Sequence, residues 1–145
     1  MENPRITVEV LTNVDELWTL ENEFRNAVGE EMMPESARHY LSAAIQQEKI
    51  IFFAARRDKG LIGICSVSPC FSTYACRLSG VFDDFFVRPA YRKSGAARLL
   101  VQAAQTWCIE HGYASMMVGC APEDMAMYQA LGFDVELGAM LCRNF

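Results

Sequence analysis

Two acids, Asp83 and Asp84, stand side by side in Val81-Phe82-Asp83-Asp84-Phe85-Phe86-Val87, a run that is otherwise apolar. A carboxylate inside an apolar strand must be partnered, or hold its proton more tightly, or both. Adjacent acids in that setting suit proton acceptance, the work of a general base. The plainer alternative is that one of them pairs with an arginine. Strand alternation predicts Asp83, Phe85 and Val87 on one face and Asp84 and Phe86 on the other. A second group follows directly: Arg92-Lys93-Ser94-Gly95-Ala96-Ala97-Arg98 opens a long helix with small residues flanked by cations. The first backbone N–H groups of a helix have no intrahelical partner, and small side chains let an anion approach them. Cations beside an empty helix N-terminus are unfavourable, so their presence favours a bound anion such as a pyrophosphate. The segment lacks the spacing of a P-loop and of a dinucleotide-binding glycine fingerprint. The alternative is an ordinary strand–loop–helix corner.

The elements that must position these groups can be read from periodicity. Ile6, Val8 and Val10 alternate with polar residues and predict a strand; Leu17, Leu20, Phe24 and Val28 predict a helix that Gly29 stops. Pro34 and Ser36 open a second helix through Tyr40, Leu41, Ala44 and Ile45. Ile50 to Arg56 and Leu61 to Val67 predict a hairpin across Asp58-Lys59-Gly60. Pro69 to Leu78 reads as a long connection or a strand edge, and Gly80 to Val87 as a strand stopped by Pro89. Gly95 to Glu110 is a helix, Ala114 to Cys120 a strand, and Pro122 to Gly132 a helix. Phe133 to Leu137 and Ala139 to Arg143 then predict a closing strand pair across Gly138. The expected fold is a single α/β domain over residues 1–145: a mixed, mostly antiparallel twisted sheet with helices on both faces and a central β-α-β unit.

Composition narrows the function classes. The chain has 145 residues, 52% hydrophobic and 21% charged, the balance of a globular domain. Thirteen basic against eighteen acidic residues give a net charge of −5, which argues against nucleic acid as a partner. No apolar run approaches the ~20 residues of a membrane helix, so no membrane association is expected. Met1-Glu2-Asn3-Pro4-Arg5 has no secretory apolar region, and a cytoplasmic location is the expectation. The six cysteines then read as reduced, buried apolar residues. With only two histidines and no C-x-x-C pair, no metal site is expected.

Two motifs carry a resemblance. Val87-x-Pro89-x-Tyr91-Arg92-x-x-Gly95-x-Ala97 resembles the signature of the GNAT superfamily of acyl-CoA N-acyltransferases, whose defining Arg/Gln-x-x-Gly-x-Gly/Ala is met by Arg92, Gly95 and Ala97. Tyr128-Gln129-Ala130-Leu131-Gly132-Phe133 is similar to that family's Tyr-x-x-x-Gly-Phe. The element order also fits, so the resemblance covers nearly the whole chain. A narrower likeness joins Phe71-Ser72-Thr73-Tyr74 and the Asp83-Asp84 pair to the diamine (spermidine/spermine and thialysine) acetyltransferase branch, where the first acid is usually Glu. Ser94, Ala121 and Asp124 depart from the residues most frequent in the superfamily at those positions.

The resemblance implies acetyl-CoA as co-substrate, lying between the strand that ends at Val87 and the strand Ala114 to Cys120. Backbone groups of Phe85, Phe86 and Val87 would meet the pantetheine arm. Those of Lys93, Ser94, Gly95, Ala96 and Ala97, with Arg92 and Arg98 nearby, would meet the pyrophosphate. Tyr128 would protonate the departing thiolate; a free phenol near ~10 is close enough to a thiol near ~8.5 to do so. Asp83 or Asp84 would be the base. Glu30, Glu31, Tyr74 and Asp83 would border an acidic pocket for a small cationic amine, attacked directly in a ternary complex. A protein or peptide amine as acceptor, and a non-catalytic CoA-binding module, are the alternatives. Dimers are common in the family, so a homodimer is a further expectation.

Overall fold

The computed structural model describes residues 5–145. Its elements run β1 (Ile6–Leu11), α1 (Val14–Ala27), α2 (Arg38–Gln46), β2 (Ile51–Arg57), β3 (Gly60–Ser72), β4 (Arg77–Val87), α3 (Ala96–Glu110), β5 (Met116–Val118) and α4 (Met125–Ala130). The strands form one sheet in the order β1-β2-β3-β4-β5. The first four are antiparallel neighbours, and β5 is parallel to β4, with α3 as the crossover.

The alternation that predicts the strands also divides the core. Phe53, Ala55, Cys65, Val67 and Phe82 face one way and are covered by Leu100, Val101, Ala104 and Cys108 of α3. Phe52, Ala54, Ile64 and Phe86 face the other way, against Leu17 and Leu20 of α1 and Ile45 of α2. Helices therefore cover both faces of the sheet, as expected. The Asn13 side chain caps α1 by accepting from the N–H groups of Asp15 (3.0 Å) and Glu16 (3.3 Å). Arg88, just past β4, forks onto both carboxylate oxygens of Glu23 at 2.9 and 2.8 Å, which fixes α1 over the end of β4.

The structure alters three sequence expectations. Of the two readings of Pro69 to Leu78, the connection falls and the strand holds: β3 and β4 run on as one long hairpin, paired as far as Ser72 and Arg77. The closing strand pair does not form, and residues 133–143 carry no regular structure. Their alternation is a local signal, but Val135, Leu137, Met140 and Leu141 are exposed and cover no face of the sheet. Finally, only Cys65 and Cys108 are buried; Cys70, Cys76, Cys120 and Cys142 are exposed, and all six are free thiols.

Candidate active site

Two neighbouring strands part where the chemistry was expected. β4 pairs with β5 only over Gly80–Phe82 against Met116–Val118. Gly80 sits at the tight start of this pairing, where a Cβ would come within 2.7 Å of Val67 and 3.3 Å of Cys108. Beyond Phe82, β4 continues to Val87 with β3 on one side and, among the described residues, no strand on the other. The N–H of Arg88 donates to Ile62 of β3 at 2.8 Å, so by strand alternation the N–H groups of Val87 and Phe85 point to the unpaired side. The Val87 carbonyl on that side accepts from Arg92 Nε at 3.2 Å. The edge left open is thus backbone that an amide-bearing chain can complete.

At the end of this edge the chain turns sharply into α3. Lys93 (φ 61°) and Gly95 (φ 89°) both adopt the left-handed region, and Gly95 caps the helix without any side-chain acceptor. The first N–H to find a helical partner is that of Leu99, on the Gly95 carbonyl at 3.1 Å. The N–H groups of Ala96, Ala97 and Arg98 are left over. A basic cleft lined by Arg5, Arg57, Tyr91, Arg92, Lys93 and Ser94 adjoins this turn. Small residues, unpaired N–H groups and clustered cations together fit a pyrophosphate; a CoA thioester has such a group at one end and an amide-rich arm behind it.

Tyr128, on α4, stands at the fork. Its ring lies 6.0 Å from that of Phe85 and 5.9 Å from that of Phe133, centre to centre. Gly132 (φ 107°) makes the turn that brings Phe133 back, and the Phe133 N–H donates to the Tyr128 carbonyl at 3.1 Å. That geometry is why a tyrosine and a Gly-Phe pair occur at this spacing. Burial, then the charges of Asp124, Cys120 and Asp83, push the Tyr128 phenol up to about 12.

The acids are arranged differently from simple alternation. Ser66 of β3 lies opposite Asp83, and Ile64 opposite Phe86, so two residues separate the β4 partners where one separates those of β3. This extra residue is a β-bulge. Asp84 sits in it with φ 50°. As a result Phe82 and Phe86, four residues apart, face opposite layers. Asp83 and Asp84 do not part to opposite faces. Asp83 lies opposite Ser66, and the Asp84 carboxylate accepts from Ser66 Oγ at 2.6 Å, so both acids belong to the α1 side. Asp83 is exposed, and its Oδ1 accepts from the Asp84 N–H at 2.8 Å. Burial, then the charge of Asp84, raises its pKa.

A third acid, unexpected from the sequence reading, completes the group. Glu21 of α1 is only 7% exposed and within hydrogen-bonding reach of Asp84. Burial, then the neighbouring Asp84 and Asp83, pushes it up to about 9. A signal was available: position 21 falls on the same helical stripe as Leu17, Leu20 and Phe24. Glu30 and Glu31 lie exposed in the loop after α1. That loop is tied to the acidic site, since Met33 donates its N–H to buried Asn22 at 2.9 Å and Arg25 Nε donates to the Glu31 carbonyl at 2.6 Å. Tyr74 is not brought to the acids. It is fully exposed at the tip of the β3–β4 hairpin, beyond Arg77, which is itself six strand positions, or about 20 Å, from Asp83.

Comparison with known proteins places this arrangement. The acetyltransferase (GNAT) family model matches residues 14–133. The chain belongs to the GNAT family. It is 30% identical over 100 residues to the aminoglycoside N(6')-acetyltransferase type 1 of Salmonella typhimurium, covering 62% of this chain and 66% of that one. The aligned stretch thus spans just under two thirds of that relative's length. An uncharacterized N-acetyltransferase of Bacillus subtilis, YhfO, is 21% identical over 81% of this chain and 80% of its own. In structure, this GNAT chain superposes on an aminoglycoside acetyltransferase from an uncultured soil metagenomic sample, in complex with sisomicin. The TM-score is 0.85 and the identity 14%, over 97% of this chain and 95% of that one. It also matches AAC(6')-Iy in complex with a bisubstrate analog, CoA-S-monomethyl-acetylneamine, at TM-score 0.79 and 22% identity, over 97% and 99% of the chains. At these identities the likeness establishes the fold.

Proposed function

We propose that this GNAT chain is an acetyl-CoA-dependent N-acetyltransferase whose acceptor is a primary amine on a small polycation. The observation that carries this reading is the open edge of β4, which runs from the acids to the cationic turn before α3. The turn's N–H groups, with Arg92, Lys93 and Arg98, hold the pyrophosphate. The outward N–H of Val87, next to the turn, pairs with a pantetheine amide, and the Phe85 N–H, beside the acids, donates to the thioester oxygen as negative charge develops there. Asp83, exposed and raised in pKa, takes the proton from the incoming ammonium, since only the free amine attacks. Tyr128 donates a hydrogen bond to the departing sulfur. With its phenol pushed up to about 12, it keeps its proton and stabilises the thiolate, and the second proton that the nitrogen sheds in becoming an amide passes to water.

The acid cluster supports a cationic acceptor, because desolvated like charges gain most from a counter-ion. Those relatives that are named as aminoglycoside acetyltransferases are consistent with such an amine. A thiol-release assay with acetyl-CoA against sisomicin, spermidine and a lysine peptide tests the reading. Turnover with the polycations well above that with the peptide is expected; turnover with none of them would refute it.

A further inference from the structure

Glu21, only 7% exposed, is the most deeply buried acid of the site. One of its carboxylate oxygens, Oε2, is fully buried and meets no hydrogen-bond donor among the described residues. Its near neighbour is another acid, Asp84. Two ionised carboxylates cannot share such a place, so a proton must lie between them. Asp84 is the better-partnered member, because Ser66 Oγ donates to it at 2.6 Å while no donor meets Glu21 Oε2. The groups facing Glu21 are Asp83 and Asp84 from β4 and Arg25 from its own helix, with the Cys65 thiol of β3 beside Asp84. Arg25 is the sole cation among them, and its guanidinium Nε is turned to the Glu31 carbonyl.

We propose that Glu21 and Asp84 share a single proton while the acceptor site is empty, and that a cationic acceptor docking on Asp83 and Asp84 expels that proton to solvent. The inference rests on the acceptor reading above and deepens it. An ammonium enters beside the carboxylate pair, the Glu21 O–H bond breaks heterolytically, and the proton leaves to water. Two carboxylates then share the charge of the bound cation. Glu21 acts here through Asp84, as a positioning residue that makes binding sense the charge of the acceptor.

Titration calorimetry of the full chain with sisomicin, and separately with spermidine, near neutral pH in two buffers of different ionisation heat reads the proton count. Release of about one proton per molecule bound is expected, with Kd tightening as pH rises, up to about tenfold per unit. Glu21→Gln keeps a donor facing Asp84 and has no proton to lose, so its heat should be independent of buffer and its Kd flat across the same range. Asp84→Asn should also abolish the release, which covers the case in which Glu21→Gln fails to fold. Buffer-independent heat in the parent protein, or unchanged release in a folded Glu21→Gln, overturns the proposal. Isotope-edited infrared difference spectra of the ligand-free protein against Glu21→Gln must show a protonated carboxyl at neutral pH; its absence also overturns it. If neither amine binds, the acceptor reading fails and the expulsion with it, while the infrared band alone decides the shared proton.

Discussion

Tyr128 illustrates how a side chain's surroundings change the role its chemistry suggests. The sequence argument takes a free phenol, near enough to a thiol in acidity to protonate one. Half-buried against Phe85 and Phe133, the group is pushed up to about 12. On the proposed reading its contribution is a hydrogen bond made strongest as the sulfur becomes negative, which affects turnover more than affinity. Tyr128→Phe should lower kcat by about 10- to 100-fold, the size expected of a hydrogen bond to a charged group, with acetyl-CoA affinity nearly unchanged. Steady-state kinetics beside calorimetric Kd values check this; parent-like turnover would return Tyr128 to packing. Residue types were legible in the sequence, and so was the motif around Tyr128. The pairing of Glu21 with Asp84 was not, because it needs the fold to bring positions 63 residues apart together.

At the level of elements, helix and strand order followed from periodicity, since alternation and helical stripes are local. Two features escaped. The bulge at Asp84 carries no glycine, and two adjacent acids fit a regular strand as well as a bulged one, so nothing in the sequence marks the extra residue that turns both acids to α1. The closing strand pair was predicted from alternation alone, but strands form only where a partner and a face to cover exist. The start of α3 allows a sharper test than a change at Gly95 would. Any side chain at Gly95 meets φ 89° and is strained whatever it does to a ligand. Ala97 lies in regular helix, so Ala97→Glu adds bulk and charge near the free N–H groups without that strain. Acetyl-CoA binding should fall by at least about tenfold, matching ~1.4 kcal/mol, while circular dichroism stays native. Undiminished affinity would move the pyrophosphate elsewhere.

Across the whole molecule the acid cluster opposes stability. Glu21 rises from an ordinary 4.5 to about 9 on folding, so the folded chain binds this proton more readily than the unfolded one. Its contribution to stability is complete below about 4.5 and is lost as pH rises through about 9. The melting temperature of the ligand-free protein should therefore fall between pH 5 and pH 9. Glu21→Gln, neutral throughout, should flatten much of that fall; an unchanged slope in the variant would mean that the buried acid does not titrate in this window. The counterweight is the two-sided core, where Phe82 and Leu100 are fully enclosed. Phe82→Ala should cost about 3–5 kcal/mol, read by denaturant unfolding.

The stretch of β4 left without a neighbour has one more consequence. A bare strand margin invites another polypeptide to lie along it and begin an aggregate. Asp83 and Asp84, set into this stretch, repel such a visitor, because an apolar strand gains little by approaching charge. The acids proposed to select a cation would thus serve as guards for the slot while it is vacant. Replacing both with Asn should lower the temperature at which light scattering begins, and added CoA should raise it again by closing the slot.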